Sequence, residues 1–223
     1  MIKINLEEIA GFKSAIMGMR NPKNSWGRSD SHMQNVIDDD GERDEFILGD
    51  NDLKLMQNLF GAGVEHRTYA RMIQVWVTID APLYWWKEMD RYTVGKTQIS
   101  CSTMHKIHEK EFTLDDFSCE HLINEDGHTW LGGFEDMIVN GLNRARKKYL
   151  ETKDKTYWWQ LIQLLPSSYN QKRTINMSYE VCMKIWKERH NHKLDEWHTL
   201  CDFILDLPYM KDIMNLEFCG KTE

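Results

Sequence analysis

Apolar and polar residues alternate strictly ahead of the middle of the chain. Ile73, Val75, Val77 and Ile79 fall on one side of an extended backbone, and Met72, Gln74, Trp76 and Thr78 on the other. A period of two predicts a strand. The pattern then changes. Asp80 suits a helix N-cap, where its carboxylate accepts the free N–H groups of a first turn. Pro82 suits that turn, because its missing N–H costs nothing there. Residues 83–92 read as the helix, with Tyr84, Lys87, Glu88 and Arg91 on one face. Gly95 ends it ahead of a polar run, Lys96-Thr97-Gln98-Ile99-Ser100-Cys101-Ser102-Thr103. That run reads as a hydroxyl-rich loop that brings back cations.

The same reading covers the rest. Residues 1–4 predict a short strand. Asn5 with Glu8 resembles a capping box, followed by Leu6, Ile9, Phe12, Ile16 and Met19 at helical spacing up to Asn21-Pro22. Residues 23–44 are polar and predict a solvated, mobile loop, because such a composition buries too little apolar area to order itself. Residues 52–60 form a short helix stopped by Gly61 and Gly63. Met104 and Ile107 read as inward-facing, and Thr113 opens a turn with Asp116 as its capping partner. Residues 118–129 are irregular. A long helix follows, with Trp130, Phe134, Met137, Ile138, Gly141, Leu142, Ala145 and Tyr149 on its apolar face. Arg144, Arg146, Lys147 and Lys148 form a solvated basic side. Residues 155–165 make another helix, ended by Pro166, and 167–175 read as a turn-rich linker. Ser178 caps a helix carrying Cys182, Ile185 and Trp186. A last amphipathic helix runs from Leu194 to the stop at Pro208. About six helices and two or three strands predict an α+β fold: a mostly helical single domain, 1–223, with a small sheet.

Charge and composition narrow the function. The 223 residues suffice for a real core. The net charge of −7 argues against a dedicated nucleic-acid binder, which shows a basic excess, and leaves open a small anionic ligand held by a few local cations. No apolar run approaches a membrane span, and the first residues lack the apolar block of a secretory signal. Five cysteines with no C-x-x-C pair predict reduced thiols in the cytoplasm.

Few residues advertise chemistry. Glu65-His66-Arg67 precede the central strand, either as a hydrogen-bonded turn or as ligand contacts. His105 and His108 sit at metal-ligand spacing, but no third ligand matches them, and no metal is expected. Asp38-Asp39-Asp40 lacks the spaced acidic positions of a calcium loop and reads as solvated. Cys101 reads as a small buried thiol rather than a nucleophile, since no base partner accompanies it. Glycine-rich phosphate loops and the G-x-S-x-G elbow are absent.

Four stretches carry a resemblance: A-P-L-Y-W-W-K-E-M-D-R-Y (81–92), S-C-S-T-M-H-K-I (100–107), L-L-P-S-S-Y-N-Q-K-R-T-I (164–175) and H-K-L-D-E-W-H (192–198). They resemble an uncharacterised family of bacteriophages and Firmicutes, which in turn resembles the flavin-dependent thymidylate synthases. Glu65-His66 stands where those enzymes have Glu-His before a strand. Strand, helix and polar loop follow, as around their R-H-R-x-x-S-x-N-E-x-S-x-R-Y signature, and Leu165-Pro166 with Thr174 and Asn176 echoes their L-P…T…N block. Laid on the signature, Asp90-Arg91-Tyr92 replaces R-H-R, Gly95 the first Ser, Gln98 the Glu and Ser102-Thr103 the final R-Y, while Ser100 is identical. A serine cannot reproduce the bidentate grip of an arginine on phosphate.

The resemblance implies a thymidylate synthase-like fold and a homotetramer binding FAD, with a pyrimidine nucleotide such as dUMP stacked on the flavin. NADPH and methylenetetrahydrofolate would be co-substrates. His66, Arg67 and Asn176 would touch the cofactor. Lys87, Arg91, Ser100, Ser102 and Arg173 would hold the nucleotide. Two readings stand: a flavin-dependent transferase, or a nucleotide-binding or host-interaction protein that has kept the scaffold without the catalysis.

Overall fold

The computed structural model describes residues 2–38, 41–124 and 126–216. Six strands appear among them, where two or three are expected. Four build a sheet of order β1-β4-β6-β5: β1 (Lys3–Ala10), β4 (Gln74–Pro82), β5 (Lys96–Ser100) and β6 (Asn170–Ser178). The other two, β2 (His32–Asp38) and β3 (Gly41–Ile47), form a separate antiparallel ribbon. Mixed helix and small sheet agree with the α+β expectation. The chain divides into two compact units: Met1–Asn5, Thr78–Thr93 and Gln98–Ile175 make one, and Leu6–Val77, Val94–Thr97 and Asn176–Glu223 the other.

In the first unit, α3 (Leu83–Met89) follows β4 directly. Asp80 stays in the strand, and Pro82 occupies the cap position. The helix needs no capping side chain because the Leu83 and Tyr84 N–H groups donate to the Tyr169 and Ser167 carbonyls, at 3.0 and 2.9 Å. Those acceptors lie too far along the chain for a local reading to find. Thr113 and Asp116 do form the expected capping box. The long helix is broken into α4 (Leu131–Phe134), a π-helical turn over Glu135–Val139 and α5 (Asn140–Thr152). The wide turn changes the phase of the apolar stripe. Val139 goes inward with Phe134, Leu142 and Ala145, while Met137 and Trp130, both expected inside, are exposed. Leu161 of α6 (Lys155–Leu164) closes this core with Ile107, Phe112 and Phe117. Met104 and Cys101, also expected inside, are exposed.

From Leu6 onward β1 belongs to the second unit and extends to Ala10, through the residues expected to start a helix, and α1 is only Phe12–Arg20. Gly11 turns the chain at φ 103°, and a Cβ there would lie 2.1 Å from the Met72 carbonyl oxygen, so a side chain is excluded. The segment expected as a mobile loop, 23–44, carries short 3₁₀ turns and the β2–β3 ribbon; its Asp39 and Asp40 lie outside the described residues. Distant contacts anchor this polar ribbon. The Tyr209 hydroxyl donates to the Phe46 carbonyl and accepts from the Leu48 N–H. At the other strand's root, the Ser31 hydroxyl accepts from the Gly49 N–H and donates to Asp52. Asp52 belongs to α2 (Asp50–Ala62) and also binds Arg20, in a fully buried pair. Phe12 stacks on Phe46 and meets Tyr179 and Tyr209 edge-on. Ser178 caps α7 (Tyr179–Arg189) as expected, accepting from the Val181 N–H. α8 (Asp195–Asp206) follows, and a further short helix, α9 (Met210–Met214), runs past the expected stop at Pro208.

Candidate functional site

The polar run after Gly95 is a strand, β5, where a loop is expected. The strand holds because a side-chain network ties its exit to β6. The Cys101 N–H donates to the Lys172 carbonyl at 2.9 Å, and the Gln171 side chain donates back to the Cys101 carbonyl at 2.7 Å. The segment expected as a linker is therefore β6. Its inward positions include polar Gln171 and half-buried Arg173, which hide the strand's alternation.

Arg173 is the hub of that network. Its Nε donates to Gln171 Oε1 and its Nη1 to Asp90 Oδ1, each at 2.9 Å. The guanidinium lies 4.3 Å from the Trp86 ring centroid, and the buried Trp86 indole donates to the Gln171 carbonyl. Gln98 also donates to Asp90 Oδ1, at 2.7 Å. Burial lowers the Arg173 pKa, and the Asp90 charge opposes the shift. Of the residues expected at the nucleotide, Arg173 is thus a structural clamp as well as a cation.

The others are more open. Lys87, Arg91 and Ser100 are exposed. Arg91 lies past the end of α3 and pairs with Glu88 at 3.1 Å, with its side chain 69 % accessible. Ser102 is used locally: its hydroxyl accepts from the Met104 and His105 N–H groups, so it shapes the turn.

Beside this turn lies a cleft of about 310 Å³ lined by Cys101, Ser102, Lys106, Lys110, Asp116 and Tyr169, among others. Lys106 pairs with Glu109 and Lys110 with Asp116. Burial first, then the charges of Asp116, Asp80 and Cys101, push the Tyr169 phenol up to about 12, so it stays a hydrogen-bond donor at neutral pH. Hydroxyl, thiol and lysine groups can together receive a phosphate-bearing ligand. Lys106, Lys110 and Tyr169 were not anticipated. Two lysines four residues apart are the signal that was present; Tyr169 joins them only through the fold. A second cleft, about 470 Å³ with Lys3, Asp80, Asp115, Glu120 and Asn170 in its lining, is acidic and suits an anion less well.

The residues expected at the cofactor all lie in the other unit. His66 is exposed in a 3₁₀ segment over Val64–Arg71, with Glu65 Oε1 3.7 Å from its Nε2. Arg67 is committed elsewhere: Nε and Nη2 both donate to the Phe60 carbonyl, and the guanidinium lies 4.0 Å from the Phe60 ring centroid. It caps the end of α2 and holds the turn that carries His66. Asn176, in β6, makes a long 3.5 Å bond to the Val75 carbonyl. The two histidines at 105 and 108 are joined by no third ligand: no group of three metal-binding side chains occurs among the described residues. Nor, among them, is any helix long and apolar enough to cross a membrane.

No family model and no curated protein matches this sequence. The fold nevertheless has counterparts among solved structures, and the likeness to them is one of fold. Thymidylate synthase X from Helicobacter pylori, solved with FAD and dUMP, matches with a TM-score of 0.66 over 100 % of both chains at 16 % identity. A second structure, the flavin-dependent thymidylate synthase of the same organism complexed with FAD and dUMP, matches at 0.63 over 95 % of this chain and 97 % of that one, again at 16 % identity.

Proposed function

We propose that this chain is a flavin-dependent transferase acting on a pyrimidine nucleotide, with dUMP as substrate and C5 methylation or a related modification as the reaction. The observation that supports it is the likeness in fold, along the whole chain, to proteins solved with FAD and dUMP. FAD, when bound, would supply the redox chemistry, with NADPH and methylenetetrahydrofolate as co-substrates and a homotetramer as the assembly.

The side chains present fit FAD in part. His66 is exposed and uncommitted to the core, and Asn176 keeps an amide oxygen that accepts no hydrogen bond among the described residues. Both can meet the polar edge of a flat heterocycle. Arg67 is not free for a phosphate, and its part is to present His66. Toward the nucleotide, Lys87, Arg91 and Ser100 offer an exposed supply of cations and a hydroxyl, and Lys106 and Lys110 line the cleft with Ser102. Arg173 positions β5 through Asp90 and Gln98, and Ser102 shapes the turn.

One set of observations favours a second reading, a nucleotide-binding or host-interaction protein on the same scaffold without catalysis. The signature arginines are replaced, and Arg173 and Ser102 are engaged within the protein. The visible spectrum after incubation with FAD and gel filtration separates the two. A retained flavin band that responds to dUMP supports the transferase. A colourless protein that still binds dUMP supports the second reading.

A further inference from the structure

We propose that a third cleft, apart from the one beside β5, binds a phosphate monoester carried on a flat ring, the mononucleotide class of ligand. It has a volume of about 370 Å³, within the usual range of roughly 300–1,000 Å³ for small-molecule sites. It lies where the residues after Ser102 meet the corner joining α5 to α6.

The corner brings two lysines to one place. Lys153 ends α5 in the left-handed region, at φ 56°, with its N–H bonded to the Tyr149 carbonyl at 2.8 Å. Asp154 then caps α6 by accepting from the Thr156 N–H at 2.8 Å. The chain reverses within these residues, and Lys153 and Lys155 both line the cleft. Neither forms an ion pair among the described residues. Their ammonium groups lie 5.7 and 5.9 Å from the Tyr149 and Trp159 ring centroids.

His105 and His108 line the cleft as well, and no carboxylate does. In a chain with 35 acidic and 28 basic residues, a concavity lined by two lysines and two histidines and by no carboxylate favours anions. The same lysines make it a poor metal site despite its two imidazoles. Trp158 and Tyr149 supply the flat wall. The Trp158 indole N–H donates to the Met104 carbonyl at 3.0 Å, and His108 meets Tyr149 edge-on at 4.9 Å. Arg146 pins the loop through the His108 and Glu109 carbonyls. These bonds hold the wall in place before any ligand arrives, and His108 Nδ1 is left buried with no hydrogen-bond partner.

The test uses AMP as probe, with adenosine and inorganic phosphate as controls, by calorimetry on the whole protein. AMP should bind in the submillimolar range, with adenosine and phosphate at least about tenfold weaker, because each supplies half of the match. The exposed double substitution Lys153→Ala/Lys155→Ala should weaken AMP at least about tenfold while leaving the far-ultraviolet spectrum and any FAD binding unchanged. That independence separates this cleft from the proposed flavin chemistry. Absence of AMP binding up to about 5 mM, equal binding of adenosine, or full affinity in the double variant would each overturn the assignment.

Discussion

Arg173 and Asp90 stand 83 residues apart in sequence and meet through one bond, Nη1 to Oδ1, at 2.9 Å. The arginine side chain is 12 % accessible and the aspartate 44 %, so the pair straddles the boundary between core and solvent. Its value lies in what it organises. Asp90 also receives Gln98 of β5, and Arg173 also holds Gln171 and covers Trp86. Arg173→Ala should destabilise the protein by about 1.5–3 kcal/mol, the worth of a charged hydrogen bond. Arg173→Lys should recover under half of that, since an ammonium cannot reach two acceptors in a fixed fork. Urea unfolding of Arg173→Ala, Asp90→Asn and the double variant Arg173→Ala/Asp90→Asn completes a double-mutant cycle. A coupling energy below about 0.5 kcal/mol would show that the two residues act independently.

Much of this network was out of reach of a reading along the chain. Central β4 was legible because its partners bury one face and leave the other half-covered, giving a clean period of two. β6 was not, because Gln171 and Arg173 stand at positions where apolar residues would have marked it. The β2–β3 ribbon was hidden for the opposite reason. It is solvated, and what holds it comes from Tyr209 and Asp52, outside the segment. Among the candidate site residues, their chemistry was legible and their commitments were not. Arg67 looks like a free cation until Phe60 is placed under it.

Gly11 offers a test of the close approach between the β1–α1 turn and Met72. Its φ of 103° and the 2.1 Å separation between a Cβ and the Met72 carbonyl oxygen act together. Gly11→Ala should cost more than about 2 kcal/mol, since a left-handed backbone alone costs roughly 1–2 kcal/mol in a residue with a side chain. Gly127→Ala is the control. Its φ is also positive, at 78°, but nothing lies within 4 Å of the added carbon. Thermal melts should show a clearly smaller loss at Gly127. Equal losses would mean that conformation, not contact, sets the effect at Gly11.

The cysteines should separate by reactivity. Cys101 is exposed, while Cys182 and Cys201 are buried and their thiols are pushed up to about 12, by burial first. Burial also raises Cys119. The thiolate is the reacting form, so among the four described cysteines iodoacetamide at about pH 8 should label Cys101 first. Cys182 and Cys201 should react only on unfolding, and peptide mapping over time reads the order. Early labelling of Cys182 would mean that α7 opens far more readily than its packing implies.

The buried carboxylate of Asp52 should make the protein acid-sensitive in a defined window. Burial alone would raise its pKa. Bonds from the Ser31 and Ser29 hydroxyls, from Arg20 and from the Ser31 N–H outweigh that and lower it. The folded state therefore holds the charged form more tightly than the unfolded chain does. Its contribution is complete above the ordinary carboxylate range and declines as pH falls through that range toward the depressed folded value, because the unfolded chain takes up the proton first. Asp52→Asn should cost about 3–5 kcal/mol at neutral pH by leaving Arg20 buried without its counter-charge. The gap between wild type and variant should then shrink as pH falls from about 5 to about 3. Ser29→Ala, which removes one bond to Asp52 Oδ2, should show a smaller loss of about 1 kcal/mol with the same pH trend. Urea unfolding across that range measures all three proteins. A gap that stays constant with pH would mean that the Asp52 charge is not what this part of the fold is built around.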